Sequence, residues 1–251
     1  MNATGRFATA AAVSLVLAAR CLRGDDAPIE KTTVASRGKD RTVWVFASST
    51  AGAAPAPLIV AFHGSGGSGR TMVEKWKSVA EKEGIVVAAP DSTDAVHWAS
   101  PQDGPQLLED VVRGIAAKHP VDPRRVYLFG HSAGAVFTLQ MAALESEYFA
   151  AAAVHAGAVV PEYFPVFDYA ARKIPIAIWI GTKDQFFSID RVRATARALE
   201  SRGFPVTLTE IPGHTHDYLH YEPDLNLAIW SFLSARKLSG EPRFRKYADP
   251  Q

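Results

Sequence analysis

Short apolar runs alternate with longer stretches of helical spacing along most of the chain. Leu58–Phe62 (LIVAF), Ile85–Ala89 (IVVAA), Arg125–Phe129 (RVYLF), Ala151–His155, Ile176–Ile180 (IAIWI) and Val206–Ile211 predict strands. The runs lack polar alternation, so they predict strands covered on both faces. Between them, Thr71–Glu83 carries Met72, Val73, Trp76 and Val79 at helical spacing, and Gln106–Lys118 carries Leu107, Leu108, Val111, Val112 and Ile115. Ala133–Leu144, Asp190–Ser201 and Leu225–Ala235 predict three more helices, and Arg41–Ala47 (RTVWVFA) an antiparallel edge strand ahead of the rest. Strand–helix alternation of this kind makes an α/β fold with a mostly parallel sheet and right-handed crossovers. Active groups then collect just past the carboxyl ends of the strands.

The two ends follow a different pattern. Arg6 precedes an apolar run, Phe7–Ala19 (FATAAAVSLVLAA), that ends in small residues. It has the length of an export signal and falls short of the ~20 residues needed to span a bilayer. We expect a signal peptide over residues 1–27, a catalytic domain over 28–236 and a polar, solvated tail over 237–251 (KLSGEPRFRKYADPQ). Cys21 stands where a lipoprotein would be acylated, but Arg20 occupies a place that wants a small residue. A secreted or periplasmic protein without stable membrane insertion is expected.

Composition narrows the chemistry. The chain has 251 residues, enough for one large α/β domain with a sizeable core. Its 27 Lys+Arg balance 26 Asp+Glu, so no basic surplus points to nucleic acid. Cys21 is the only cysteine, which excludes a disulfide framework and a cysteine-rich zinc site.

Four segments follow predicted strands. They are His63-Gly64-Ser65-Gly66-Gly67-Ser68-Gly69, Gly130-His131-Ser132-Ala133-Gly134, Gly181-Thr182-Lys183-Asp184 and Pro212-Gly213-His214-Thr215-His216-Asp217. The second is G-x-S-x-G between an apolar strand and an apolar helix, the setting of a nucleophile elbow. A serine hydroxyl needs a base, and the base needs a carboxylate to hold its tautomer. Asp184 and then His214 or His216 supply these, in the order Ser…Asp…His.

These segments carry a resemblance. The stretches LIVAFHGSGGSG, VDPRRVYLFGHSAGAVFTLQMAAL, FAAAAVHAG, IAIWIGTKD and IPGHTHDY resemble the α/β-hydrolase superfamily of serine esterases. Within it the chain looks most like the secreted group that includes polyhydroxybutyrate depolymerases and feruloyl esterases. The resemblance covers residues 40–235 and implies an α/β-hydrolase fold, a mostly parallel central sheet with helices on both faces. Asp184 lies only 52 positions after Ser132, so little or no lid is expected. Those depolymerases have Gly-His-Thr-Trp-Pro where this chain has Gly213-His214-Thr215-His216-Asp217. The common spacing G-x-x-H gives His216 as the base, and the Gly-His-Thr reading gives His214; His216 is preferred.

The expected catalytic residues are therefore Ser132, Asp184 and His216. The oxyanion hole is expected from the amides of Ala133 and Ser65, with Gly66 as the alternative to Ser65. His63 is expected to brace its loop. Trp98, His131 and His214 are expected to line the substrate site, and Phe186 and Phe187 to be wall or core. Asp103 and Asp110 are expected as a loop and a helix-surface carboxylate. The resulting activity is hydrolysis of short-chain, aromatic or polymeric carboxylic esters through an acyl-enzyme, with no cofactor or metal.

Four other readings come from the same residues. Gly64–Gly69 also fits the dinucleotide pattern G-x-G-x-x-G, with Asp91 about 20 residues on. His214, His216 and Asp217 form a partial metal-ligand cluster. A peptidase, or a non-catalytic binding protein on the same scaffold, would keep the fold. A peptidase of this fold usually carries a large extra domain over the site, for which this chain has no room.

Overall fold

The computed structural model describes residues 27–51, 54–218 and 222–245. The expected export signal and Cys21 lie outside the described residues. Eight strands form one sheet: β1 (Glu30–Ser36), β2 (Lys39–Ala47), β3 (Ala56–Phe62), β4 (Val86–Pro90), β5 (Val121–His131), β6 (Ala151–His155), β7 (Ile176–Gly181) and β8 (Val206–Ile211). Their order is β1-β2-β4-β3-β5-β6-β7-β8. β1 and β2 are antiparallel to each other, and β2 to β4; every other pairing is parallel. Among the described residues, five α-helices cover the sheet: α1 (Gly69–Glu83), α2 (Pro105–Ala116), α3 (Ala133–Leu144), α4 (Ile189–Glu200) and α5 (Glu222–Ser234).

The unbroken apolar runs are strands between two layers. All of β3 is buried. Its Leu58, Val60 and Phe62 face the core formed with α2, α3 and α4, while Ile59 and Ala61 face Trp76 of α1 and Ile229 of α5. Successive side chains on a strand point to opposite faces, so a strand inside a three-layer fold must be apolar throughout. The helices bury the stripes their spacing predicts: Met72, Val73, Trp76 and Val79 on α1, and Leu107, Leu108, Val111, Val112 and Ile115 on α2.

β1 escaped the sequence reading. It lies at the sheet edge, and most of its EKTTVAS residues are exposed, with Val34 and Ser36 alone buried. Its pairing closes through Ser36 and Lys39 around a two-residue turn in which Arg37 and Gly38 both have positive φ, 50° and 72°. That is the turn geometry suited to strand twist. Of the expected polar tail, residues 237–245 are described, and most of these are exposed. Leu238 is buried, and the Phe244 ring stacks on Tyr148.

Candidate active site

The carboxyl ends of β3, β5, β7 and β8 lead into the segments singled out above. β5 ends at His131, and Ser132 turns the chain into α3 with φ 56° and ψ −119°. This is a strained conformation for a residue with a Cβ, and it persists because strand and helix hold it on both sides. The crossing is tight. A Cβ on Gly134 would lie 2.2 Å from the Phe62 carbonyl oxygen, so only glycine fits there. The turn sets Ser132 at the start of α3, where the first amides of a helix have no intrahelical partner and carry partial positive charge.

Asp184 and His216 converge on that serine. His216 Nδ1 lies 2.7 Å from Asp184 Oδ2, and its Nε2 lies 2.8 Å from Ser132 Oγ. Asp184 is acceptor only when ionised, so Nδ1 carries the proton and Nε2 receives the serine hydroxyl. The Asp184 side chain is 1% exposed. Its other oxygen accepts the amides of Phe186 and Phe187, each at 2.8 Å, which fixes the carboxylate's direction. The arrangement can draw a proton from the Ser132 hydroxyl to the imidazole while the carboxylate holds the ring.

The glycine-rich loop after β3 closes the other side. The Ser92 amide donates to His63 Nε2 at 3.2 Å, so Nδ1 carries the proton and donates to the Gly64 carbonyl at 2.8 Å. His63 thus braces its loop, as expected. The Gly66 amide donates to the Ala95 carbonyl at 2.7 Å. The Ser65 hydroxyl donates to the Val96 carbonyl and ties this loop to the one after β4.

Two clefts meet at Ser132. One, of about 460 Å³, is lined by residues 63–67, Lys75, His131, Gln185, Phe186 and His216. The other, of about 580 Å³, is walled by Trp98, Phe137, Phe186 and Phe187, with Gln140 and Arg191 among its polar residues. Trp98 stacks on Phe137 at 5.1 Å and donates from its indole to the His63 carbonyl at 3.0 Å. Phe186 is 64% exposed and stands 4.7 Å from the His216 ring. Phe186 is therefore wall, while Phe187 lines the cleft and also packs against the core.

Two expectations need correction. His214 does not line either cleft. It is buried, with Nε2 2.9 Å from Nε2 of the buried His155, because its backbone tucks under β7. Asp103 is no ordinary loop carboxylate. It is wholly buried and accepts from Arg41 at 2.6 Å, the Thr93 hydroxyl at 2.8 Å and the Ala99 amide at 3.1 Å. Together with Arg41, which also donates to the Asp91 and Gln102 carbonyls, it shapes the loop that carries Trp98.

The other residues bear on the rival readings. Asp91 places its carboxylate on the amide of Gly69 at 2.7 Å, at the start of α1. That is where a dinucleotide pyrophosphate would sit, so the protein's own anion fills the place. His216 spends both nitrogens on Ser132 and Asp184, and His214 turns toward His155, so the two rings diverge rather than share a metal position.

His155 was missed as a site residue and read only as a strand end. It joins His131 to His214, with His131 Nδ1 at 2.9 Å from His155 Nδ1. Burial pushes His131 down to about 3, the neighbouring His216 acting in the same direction. Burial also holds His155 well below the usual histidine range and lowers His214.

Comparison with known proteins places the chain in a family. The dienelactone hydrolase family profile matches residues 45–232, and the chain belongs to that family. It is 34% identical over 117 residues to poly(3-hydroxyalkanoate) depolymerase C of Paucimonas lemoignei, covering 41% of this chain and 28% of that protein. It is 28% identical over 160 residues to a bifunctional acetylxylan esterase/xylanase of Neocallimastix patriciarum, covering 62% of this chain and 23% of that protein. The chain thus matches about a quarter of the length of these curated relatives. In fold it is similar to a fluorophosphonate-binding serine hydrolase of Staphylococcus aureus, with TM-score 0.68 and 14% identity over 82% of this chain and 98% of that one. The fold is that of the α/β-hydrolase esterases, as the sequence motifs imply.

Proposed function

We propose that the protein is a serine carboxylesterase that works through Ser132, His216 and Asp184. The observation that carries this reading is the unbroken hydrogen-bonded series from Ser132 Oγ to His216 at 2.8 Å and on to Asp184 at 2.7 Å. His216 takes the hydroxyl proton as Ser132 attacks the ester carbonyl. The amides of Ala133 and Ser65 receive the developing oxyanion, helped by the positive end of α3. The tetrahedral intermediate collapses and the alcohol leaves with the proton from His216. Water, deprotonated by the same ring, then attacks the acyl-enzyme and releases the acid, regenerating Ser132. Asp184 holds the ring and stabilises its charged form. Each step is complete with these side chains, without cofactor or metal.

The clefts on either side of Ser132 are the acyl and alcohol sites. The wall of Trp98, Phe137, Phe186 and Phe187 suits an aromatic or short apolar group, and the open mouth suits a polymer end. Short-chain, aromatic or polyester substrates are therefore proposed, the first and last kinds in keeping with the acetylxylan esterase and depolymerase relatives. A panel of p-nitrophenyl esters of rising chain length, methyl ferulate, a polyester film and a peptide anilide tests this. Hydrolysis of the esters, abolished by Ser132→Ala, is the expected result. Hydrolysis of the anilide alone would make the protein a peptidase, and no turnover of any member would favour a binding protein.

We also propose export, with residues 1–27 removed and 28–236 as the catalytic domain. No helix among the described residues is long and apolar enough to cross a membrane. N-terminal sequencing of the mature protein from the producing cells checks this; an intact Met1 in the cytosolic fraction would contradict it.

A further inference from the structure

Behind the Ser132–His216 pair runs a second series of imidazoles that the reaction itself does not use. β5 and β6 are parallel neighbours whose last residues, His131 and His155, stand side by side in register. Their Nδ1 atoms are 2.9 Å apart, and His155 Nε2 is 2.9 Å from His214 Nε2. His131 directly precedes Ser132, and His214 lies two residues before His216. We propose that His131, His155 and His214 form a positioning chain that ties the turn bearing Ser132 to the loop bearing His216. This rests on the hydrolytic reading of those two residues.

Three features support it. First, the contacts are directional. At 2.9 Å each N···N pair must hold one proton, since two bare or two protonated nitrogens would repel. Three neutral rings carry three protons on six nitrogens. Two protons lie inside the two hydrogen bonds, so one and only one of the outer nitrogens, His131 Nε2 or His214 Nδ1, carries the third. His155 must donate to one neighbour and accept from the other. A side chain that can only donate, only accept or do neither breaks the series.

Second, two of the three rings are buried. His155 and His214 are 0% and 1% exposed. Tyr218 stacks on His131 at 5.2 Å and leans on His155 at 5.7 Å. A buried polar group without a partner is costly, so a satisfied series fixes one arrangement of the two segments it joins. The geometry does not suit a metal. His155 meets its partners through opposite nitrogens, so no single point lies within reach of all three rings.

Third, a neutral strut suits this place. The His131 ring is 5.0 Å from the His216 ring, which must become cationic during turnover. A fixed cation there would oppose that step. The Asp184 and Asp217 carboxylates favour charge on His131 and His214, and burial outweighs them. The chain thereby orders the base loop without adding a charge beside the base.

The test compares His155→Leu with His155→Gln, because a glutamine amide both donates and accepts as the imidazole does. We expect His155→Leu to lose roughly 10–100-fold in kcat with KM changed less than about threefold, as a small misplacement of base against nucleophile would give. His155→Gln should recover most of that loss, with both variants melting cooperatively. Equal losses in the two, or none in either, would overturn the proposal. Nitrogen-resolved histidine NMR on the wild-type protein decides the matter if the leucine variant does not fold. Between about pH 5 and 8, His131, His155 and His214 should each keep one protonated and one bare nitrogen. A cationic His155 in that range would overturn the chain. Retained activity in Ser132→Ala would instead defeat the hydrolytic reading, an outcome these spectra do not depend on.

Discussion

The His216 imidazole meets the Ser132 hydroxyl at 2.8 Å although 84 positions separate them in the sequence. His214, two residues earlier, faces away into a buried contact with His155. The two candidate bases therefore separate cleanly in experiment. His216→Gln is predicted to lower kcat by at least about 10³-fold, and Asp184→Asn by a comparable factor through loss of the correct tautomer. His214→Gln should lose roughly 10-fold or less, by loosening the loop alone. Steady-state kinetics on one ester reads all three, and the reverse ranking of the two histidine variants would transfer the base to His214.

The elbow depends on how closely α3 passes β3. A methyl group on Gly134 would sit 2.2 Å from the Phe62 carbonyl oxygen, a backbone atom with no room to retreat. Gly134→Ala should destabilise the protein by about 3 kcal/mol. Urea unfolding measures this, and an unchanged midpoint would mean that the helix stands further from the strand than described.

The loop carrying Trp98 hangs on the buried Arg41–Asp103 pair, 2.6 Å apart. Removing one partner leaves an uncompensated buried charge. Arg41→Ala or Asp103→Ala is thus expected to lose about 3–5 kcal/mol of stability. The same change should raise KM for aromatic esters more than for acetyl esters, since Trp98 walls only one cleft. Equal effects on both substrates would show that the loop does not shape that wall.

Much of this architecture was legible in the sequence because burial on both faces leaves an unmistakable apolar run. β3, β6 and β7 are buried end to end, and the glycine-rich loop and Asp184 follow two of these runs, whereas β8, which leads to His216, is an edge strand with no buried residue. β1 was illegible for the opposite reason. As an edge strand it presents polar residues to water, and only the Arg37-Gly38 turn hinted at it. The order Ser132, Asp184, His216 could be read because strand ends deliver those residues to one rim. Where His214 points could not, because that depends on His155 arriving from another strand. The burial of Asp103 likewise depends on Arg41, 62 residues away.

Acid should weaken the fold before it protonates most carboxylates. The folded state favours the neutral form of His131, His155 and His214, whereas free histidine ionises near 6.5. Unfolding therefore takes up protons below that value, and the stability these rings contribute is full above it and falls with the pH. For His131 the loss continues to about pH 3. Each ring held neutral removes about 1.4 kcal/mol per pH unit. Urea titrations at pH 7, 6 and 5 should show a steep decline that is shallower in His155→Gln; constant stability over that range would contradict the burial of neutral imidazoles.

The most direct test of the whole account is active-site labelling. A fluorophosphonate should add one phosphonyl group per protein, located by peptide mass spectrometry on Ser132, with ester hydrolysis lost in parallel. Ser132→Ala should neither label nor turn over, and His216→Gln should label far more slowly. Full hydrolytic activity in Ser132→Ala, or labelling confined to another residue while activity disappears, would contradict the assignment of Ser132 as nucleophile.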